Sequence, residues 1–415
     1  MTSRRAGFAG WRIVAISAVT LGMTAPGQTV GFSAFVDPMI AGLDVTRTQV
    51  STAYLVGTLT GALAMPRVGT FIDRRGTRHA MLAIAAAFGL ALAAMSGVVG
   101  FVTLMVGFVG IRMFGQGGLT LVATTAVAPW FERRRGFALG VTTASGSALM
   151  ALFPLLSTFL ILRLGWRPSW IVLAVLMWAV VLPLGRWGMV TRPEDLGQRA
   201  DGAHASADDD RAVAGMAAFT RREAVHTAMF WAIAGAVAAT GMIATALSFH
   251  QIDLLGEQGL TPVQAAANFL PQTLAALVAT LGAGWLLDRA PAKLVLVSAM
   301  VVLAVAMLVV GHVSPGVTAI GYGMLLGTAG SSVRAMEVAT LPALFGVRHL
   351  GAIRGVIIAI SIAASAFGPL ALSLGQHFTG SYTGVLRGLV ALPVAVAGFA
   401  LVAPQPRRTL GGSPA

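Results

Sequence analysis

Few side chains in this sequence can do chemistry, and they stand out against apolar surroundings. Arg112 and Arg334 each interrupt a long hydrophobic run, and Glu337 follows Arg334 by three residues, which puts both on one face of a helix. Guanidinium geometry matches two carboxylate oxygens and its charge persists at any working pH, so either arginine suits an organic anion. Glu337 is the only carboxylate deep in an apolar stretch. A carboxyl so placed exchanges a proton when its neighbours change, which makes Glu337 the candidate proton carrier. An anion competing for Arg334 would free Glu337 to take that proton; without one, the two residues simply neutralise each other. Asn268 and Gln272, four apart, offer uncharged donors and acceptors either to an oxygen-rich ligand or to a neighbouring helix. Gln28 follows Pro26-Gly27, where proline interrupts a helical ladder and a cavity-lining group is expected. Arg112 has two readings as well: it holds an anion, or it holds helix carbonyls.

The elements that position these groups follow from composition. The chain has 415 residues, 56% hydrophobic and 10% charged, with mean hydropathy +0.82. Soluble domains carry about a quarter charged residues, so water is not its only solvent. The net charge of +13 falls in short basic clusters between apolar runs of about 20 residues or more, without the aromatic interleaving of a nucleic-acid binder. Nucleic acid is therefore not an expected partner. With no cysteine, disulfides, thiolate metal sites and cysteine nucleophiles are excluded. The sequence holds no His-Glu-x-x-His, Gly-x-Ser-x-Gly or Walker loop, so it reads as neither an enzyme nor an ATP-driven pump, with no metal or cofactor expected.

Twelve apolar segments are counted, near 11–36, 47–68, 79–99, 103–130, 135–163, 167–190, 226–252, 262–286, 293–312, 317–344, 351–375 and 383–403. Segments of this length exceed a barrel strand of roughly 9–11 residues, and helices alone satisfy their own backbone in hydrocarbon. The expected fold is an all-α membrane protein of twelve transmembrane helices. Two six-helix bundles, 1–190 and 226–415, flank a polar linker at 191–225 that contains Asp208-Asp209-Asp210. The first segment is too long for a signal-peptide core and reads as a retained helix. With both termini cytoplasmic, 22 of the 28 basic residues fall on the cytoplasmic side, and only Arg47, Arg163, Arg167 and Arg387 fall outside. That bias fixes the orientation in a cytoplasmic membrane.

The halves repeat. Gly69-Thr-Phe-Ile-Asp73-Arg74-Arg75-Gly76-Thr77-Arg78 recurs in weaker form as Gly284 to Lys293, with Gly, Asp and Arg each displaced by 215 residues. The same offset links Thr46 with Thr261, Gln49 with Gln264, Gly115 with Gly330 and Gly140 with Gly355. Thr46 and Thr261 are expected helix N-caps, and Gly136/Gly140 and Gly351/Gly355 are small-residue pairs that let helices approach and slide. Gly-x-x-x-Asp-Arg-x-Gly-x-Arg between the second and third segments resembles the signature loop of the major facilitator superfamily. Trp130-Phe131-Glu132-Arg133-Arg134-Arg135, running on to Gly140, resembles the fifth span of monocarboxylate transporters and their oxalate–formate antiporter-like relatives.

The resemblance implies two parallel six-helix repeats rocking about a midplane cavity. It implies that Gly69, Asp73, Arg74, Asp288 and Arg289 form the cytoplasmic gate, Asp73 near Gly351 and Asp288 near Gly136. It also implies secondary transport of a small mono- or dicarboxylate by alternating access, proton-coupled or by exchange, in a monomer whose partners are the anion and the lipid bilayer. Members of that branch carry an arginine in the eighth span, whereas here no charge appears until Asp288. Anion recognition then falls to Arg334 or Arg112, or the substrate is not a simple monocarboxylate. Efflux of a drug or natural product and a non-transporting membrane sensor remain alternatives.

Overall fold

A computed structural model describes residues 8–131, 134–200, 219–287, 289–346 and 350–404. Most of the central linker, residues 201–218, and the gate residue Asp288 lie outside them. Every regular element among the described residues is helical. Among the described residues, nine helices are long and apolar enough to cross a membrane. Three features of the sequence raise the spans to twelve. The 49-residue helix Arg47–Met95 is two spans, because Gly76 adopts φ 75°, ψ 159°. The first span is broken into Gly10–Met23 and Thr29–Leu43, each too short alone. Val317–Phe345 carries Arg334 and Glu337, which dilute its apolar character.

The spans are α1 (10–43, with its break), α2 (47–75), α3 (77–95), α4 (Phe101–Trp130), α5 (Phe137–Leu164) and α6 (Trp166–Gly188). In the second half they are α7 (Ala228–Phe249), α8 (Pro262–Leu287), α9 (Ala292–His312), α10 (Val317–Phe345), α11 (Leu350–Thr379) and α12 (Tyr382–Val402). Gly76 and the chain between α6 and α7 lie at one end of the bundle, the linker face. Arg47, which opens α2, lies at the opposite end, the far face.

Local chemistry explains the helix starts. Thr46 accepts from the Gln49 amide at 3.2 Å and the Gln49 side chain accepts from the Thr46 amide at 2.8 Å. Thr261 and Gln264 repeat this capping box at 3.3 and 2.9 Å. Each cap satisfies backbone donors that a helix start leaves unpaired, worth about 1 kcal/mol. Thr220 with Glu223 opens the short helix Arg221–Val225 the same way, as its sequence suggests. At Gly76, a positive φ is available to glycine at no cost, and Thr191 packs against the turn.

Each half has its own apolar core. Trp130, Trp170, Phe88 and Phe108 are buried in the first, and Phe230, Tyr322 and Phe345 in the second. Packing also crosses between the halves, with Leu155 of α5 against the second core. Phe249, at the end of α7, belongs to the core of the first half, stacked on Phe32 at 5.8 Å and edge-on to Tyr54 at 4.8 Å.

Candidate functional site

Where the halves face each other, α1, α5, α7, α10 and α11 enclose a cavity of about 590 Å³. Gln28, Arg334 and Glu337 line it. Gln28 arrives there because the chain unwinds after Ala25–Gly27, leaving Gln28 extended at φ −91°, ψ 159°. Its amide donates to Thr24 at 3.1 Å, and its neighbour Thr29 shares a 2.6 Å hydrogen bond with the Tyr54 hydroxyl.

The charges differ from the expected pairing. Glu337 is 8% exposed and faces Arg354, not Arg334, with Arg354 Nε 3.4 Å from Glu337 Oε1. Neither of those two atoms has a hydrogen-bond partner, so the contact is Coulombic and loosely held. Arg334 is exposed to the cavity and has no ion pair or hydrogen-bond partner among the described residues. Sequence reasoning had placed Arg354 among the basic residues of the linker face. Its signal was the helical spacing Arg354, Ile358, Ser361, which puts one turn of α11 beside the cavity.

Arg112, Asn268 and Gln272 do not line this cavity. Arg112 is buried and fully engaged: Nε donates to Thr58 at 2.9 Å, and the two terminal nitrogens donate to the Gly27 carbonyl and the Tyr54 hydroxyl, each at 3.0 Å. Its guanidinium also lies over the Tyr54 ring, 4.4 Å from the centroid. Of its two readings, the structure realises the carbonyl-holding one, because the break in α1 frees the Gly27 oxygen beside the wide π-helical turn Arg112–Leu119. Glycine is required at 27, since an added Cβ would sit 2.5 Å from the Ile111 oxygen. Asn268 donates to the Ala319 carbonyl at 2.5 Å, and Gln272 donates to Gln251 at 2.8 Å and to Asn268 at 3.1 Å. This amide chain ties α8 to α10 and to the turn after α7, the interhelical alternative.

The far face is closed. Arg47 reaches Asp37 of α1 at 2.6 Å and, across the two halves, Asp253 beyond α7 at 3.0 Å. Asp253 becomes an ion-pair partner because the chain leaving α7 passes over the start of α2. Beneath this clasp lies the Phe249–Phe32–Tyr54 aromatic cluster, and the first turn of α8, Pro262–Ala267, packs on the Phe153–Leu164 part of α5.

Among the described residues, the linker face is open. Gly69, Gly140, Gly284 and Gly355 lie on the linker-face halves of α2, α5, α8 and α11, and a Cβ built on any of them meets nothing within 4 Å. Asp73 and Arg74 are exposed and make no ion pair among the described residues. Arg289 folds back onto its own helix, donating to the Trp285 carbonyl at 3.1 Å with its guanidinium 4.3 Å from the Trp285 ring centroid.

A cavity between two helical halves, shut at one face and open at the other, is an alternating-access geometry. The sequence profile of the Major Facilitator Superfamily matches residues 13–369. The chain belongs to that superfamily. Its members' fold serves secondary transport by alternating access, and the assignment makes this chain a multi-pass membrane protein of that superfamily. Among solved structures, a bacterial homolog of the human lysosomal transporter Spinster, in an inward-facing and occupied conformation, superposes with a TM-score of 0.70. That match covers 97% of each chain at 14% identity, which speaks to fold. The same protein, inward-facing and unoccupied, gives 0.67 at 16% identity. In sequence, an uncharacterized MFS-type transporter of Bacillus subtilis (strain 168), YcxA, is 27% identical over 167 residues. That stretch is 39% of this chain and 40% of the relative.

Proposed function

We propose that this superfamily member moves an organic anion across the cytoplasmic membrane, with the linker face cytoplasmic, so that the conformation described here is inward-facing. The observation that carries the reading is Arg334, a guanidinium on the cavity wall without a partner among the described residues. An ionised arginine at membrane depth costs roughly 2.5–3.5 kcal/mol on insertion scales and is retained where it has work to do. A carboxylate seated on it bidentately supplies the missing counter-charge.

Proton coupling uses the neighbouring pair. Glu337 is tied to Arg354 only by the loose 3.4 Å contact. An anion that engages Arg354 as well as Arg334 takes that cation from Glu337, which then takes a proton. Departure of the anion restores the pair and releases the proton. Rocking of the halves would break the Arg47–Asp253 contact and bring the open glycines of α2, α5, α8 and α11 together, with Asp73, Arg74, Arg289 and Asp288 at the closing edge.

Flux of labelled carboxylates into proteoliposomes, with and without an imposed pH gradient, tests this reading. Accumulation driven by the gradient is expected, and Glu337→Gln is expected to lose that drive while keeping anion exchange. Absence of flux for every carboxylate, with export of a hydrophobic cation instead, overturns it. The cavity's size and its Val237, Val333, Ile358 and Ile362 walls favour one second reading, export of a larger amphipathic compound.

A further inference from the structure

The cavity is charged at one end only. Arg334, Glu337 and Arg354 sit towards the linker face, whereas the deeper wall, under Phe249, carries hydroxyls and the Gln28 amide. Those hydroxyls do not bond to their own helices, a state shared by Ser17, Ser51, Ser157 and Thr158 elsewhere in the bundle. Serine and threonine in these helices ordinarily donate to the carbonyl one turn back, as Thr124, Thr142, Thr273 and Ser331 do at 2.8 to 2.9 Å. Thr240, Thr245, Ser248 and Ser361 line the cavity and make no hydrogen bond among the described residues. Thr240 is 7% exposed, and its hydroxyl oxygen is buried without a partner. A buried polar group left unpaired costs about 1–3 kcal/mol, so a ligand hydroxyl or amide that reaches Thr240 supplies a partner that its own helix does not.

Spacing places the two ends well apart. Thr240 is level with Gly330, whose Cβ position lies 3.9 Å from the Thr240 methyl. At a rise of ~1.5 Å per residue, Arg334 stands ~6 Å from that level towards the linker face, and Thr245 and Ser248 stand ~8 and ~12 Å away from it on the other side. Allowing for the reach of the arginine side chain, a ligand held at both ends has its polar groups about 10 Å apart. Between them the walls are Val237, Ala244, Val333, Val338, Ile358 and Ile362.

We infer that the substrate is a bipolar carboxylate: an anionic head on Arg334, an apolar body, and an uncharged hydroxyl or amide group seated among Thr240, Thr245, Ser248 and Gln28. This rests on the anion reading above and narrows it, away from one- to three-carbon acids. The cavity of about 590 Å³ agrees, lying within the roughly 300–1,000 Å³ that takes drug-sized ligands.

The test is calorimetric binding to the purified full chain in lipid nanodiscs, using acetate, octanoate and 8-hydroxyoctanoate, with Arg334→Gln as the blank for partition into lipid. The hydroxy acid is expected to bind about five- to tenfold more tightly than octanoate, the worth of one net hydrogen bond. Acetate is expected to bind weakest. In a Thr245→Val, Ser248→Ala double variant the advantage of the hydroxy acid is expected to vanish while octanoate affinity stays. Equal affinity of the two long acids for the unaltered protein, or acetate binding as well as either, overturns the inference and leaves the anion reading standing. An advantage that survives the double variant overturns it too. If none of the three binds, the anion reading itself falls, and the bipolar one with it.

Discussion

Removing Asp253 tests how the far face is held shut. Arg47 touches two carboxylates, but Asp37 belongs to the same half and stays with it whichever face is open. Only the 3.0 Å contact to Asp253 distinguishes the two states. The Arg47 and Asp253 side chains are 18% and 29% exposed, so the pair is neither a screened surface bridge nor a dry one. Two charges near 4 Å attract by about 4 kcal/mol at an effective dielectric of 20, and loss of hydration offsets most of it. A net of about 1–2 kcal/mol is left, between the values for exposed pairs and for interface pairs. Asp253→Ala should therefore shift the population towards an open far face by about 5- to 30-fold. Arg47 is not orphaned by this change, because Asp37 remains beside it. The chain has no cysteine, so spin labels at Ala41→Cys and Gly256→Cys report the far-face distance without background. Ala41 is exposed, and an added Cβ at Gly256 meets open space. A distance distribution unchanged by Asp253→Ala would refute the clasp.

Other substitutions separate scaffold from site. Arg112→Leu strips the Gly27 carbonyl and the Tyr54 and Thr58 hydroxyls of a donor, so a loss of about 3 kcal/mol is expected in denaturation, with ligand affinity nearly unchanged. Arg334→Gln should do the reverse, leaving the melting temperature within a few degrees while anion binding disappears from calorimetry. Gly355→Leu fills space that is open now but must close when the halves rock, so binding from the linker face should persist while turnover in proteoliposomes stops.

Much of this architecture could be read from the sequence where the cause was local. Thr46 with Gln49 and Thr261 with Gln264 are caps wherever a helix begins after them, and the structure has both boxes. The proline break that turns Gln28 into the cavity is equally local. The division of labour among the buried polar groups was not legible. Arg112 and Arg334 look alike in sequence, and what separates them is the Gly27 carbonyl, supplied by a different helix. Arg354 was hidden among arginines that mark topology, since one turn of α11 decides between a surface and a cavity. The Arg47–Asp253 pair left no mark in the sequence, because its two members lie in different halves of the chain.

Among the described residues, all three charged groups of the cavity ride on α10 and α11, and the first half contributes neutral ones such as Gln28, Thr29 and Met150. Two arginines against one carboxylate leave one positive charge when the cavity is empty, and on the proposed cycle a monoanion that enters together with a proton on Glu337 leaves that charge unchanged. A membrane potential acts on such a charge with about 2.3 kcal/mol per 100 mV if it crosses the whole field. With the linker face cytoplasmic, as proposed, an inside-negative cell acts alike on the empty carrier and on the carrier loaded with anion and proton, and only a carrier loaded with the anion alone would move without regard to voltage. Inward and outward steps then carry the same charge and a full turn moves none, a balance that follows from the placement of Arg334, Glu337 and Arg354 on one side of the bundle.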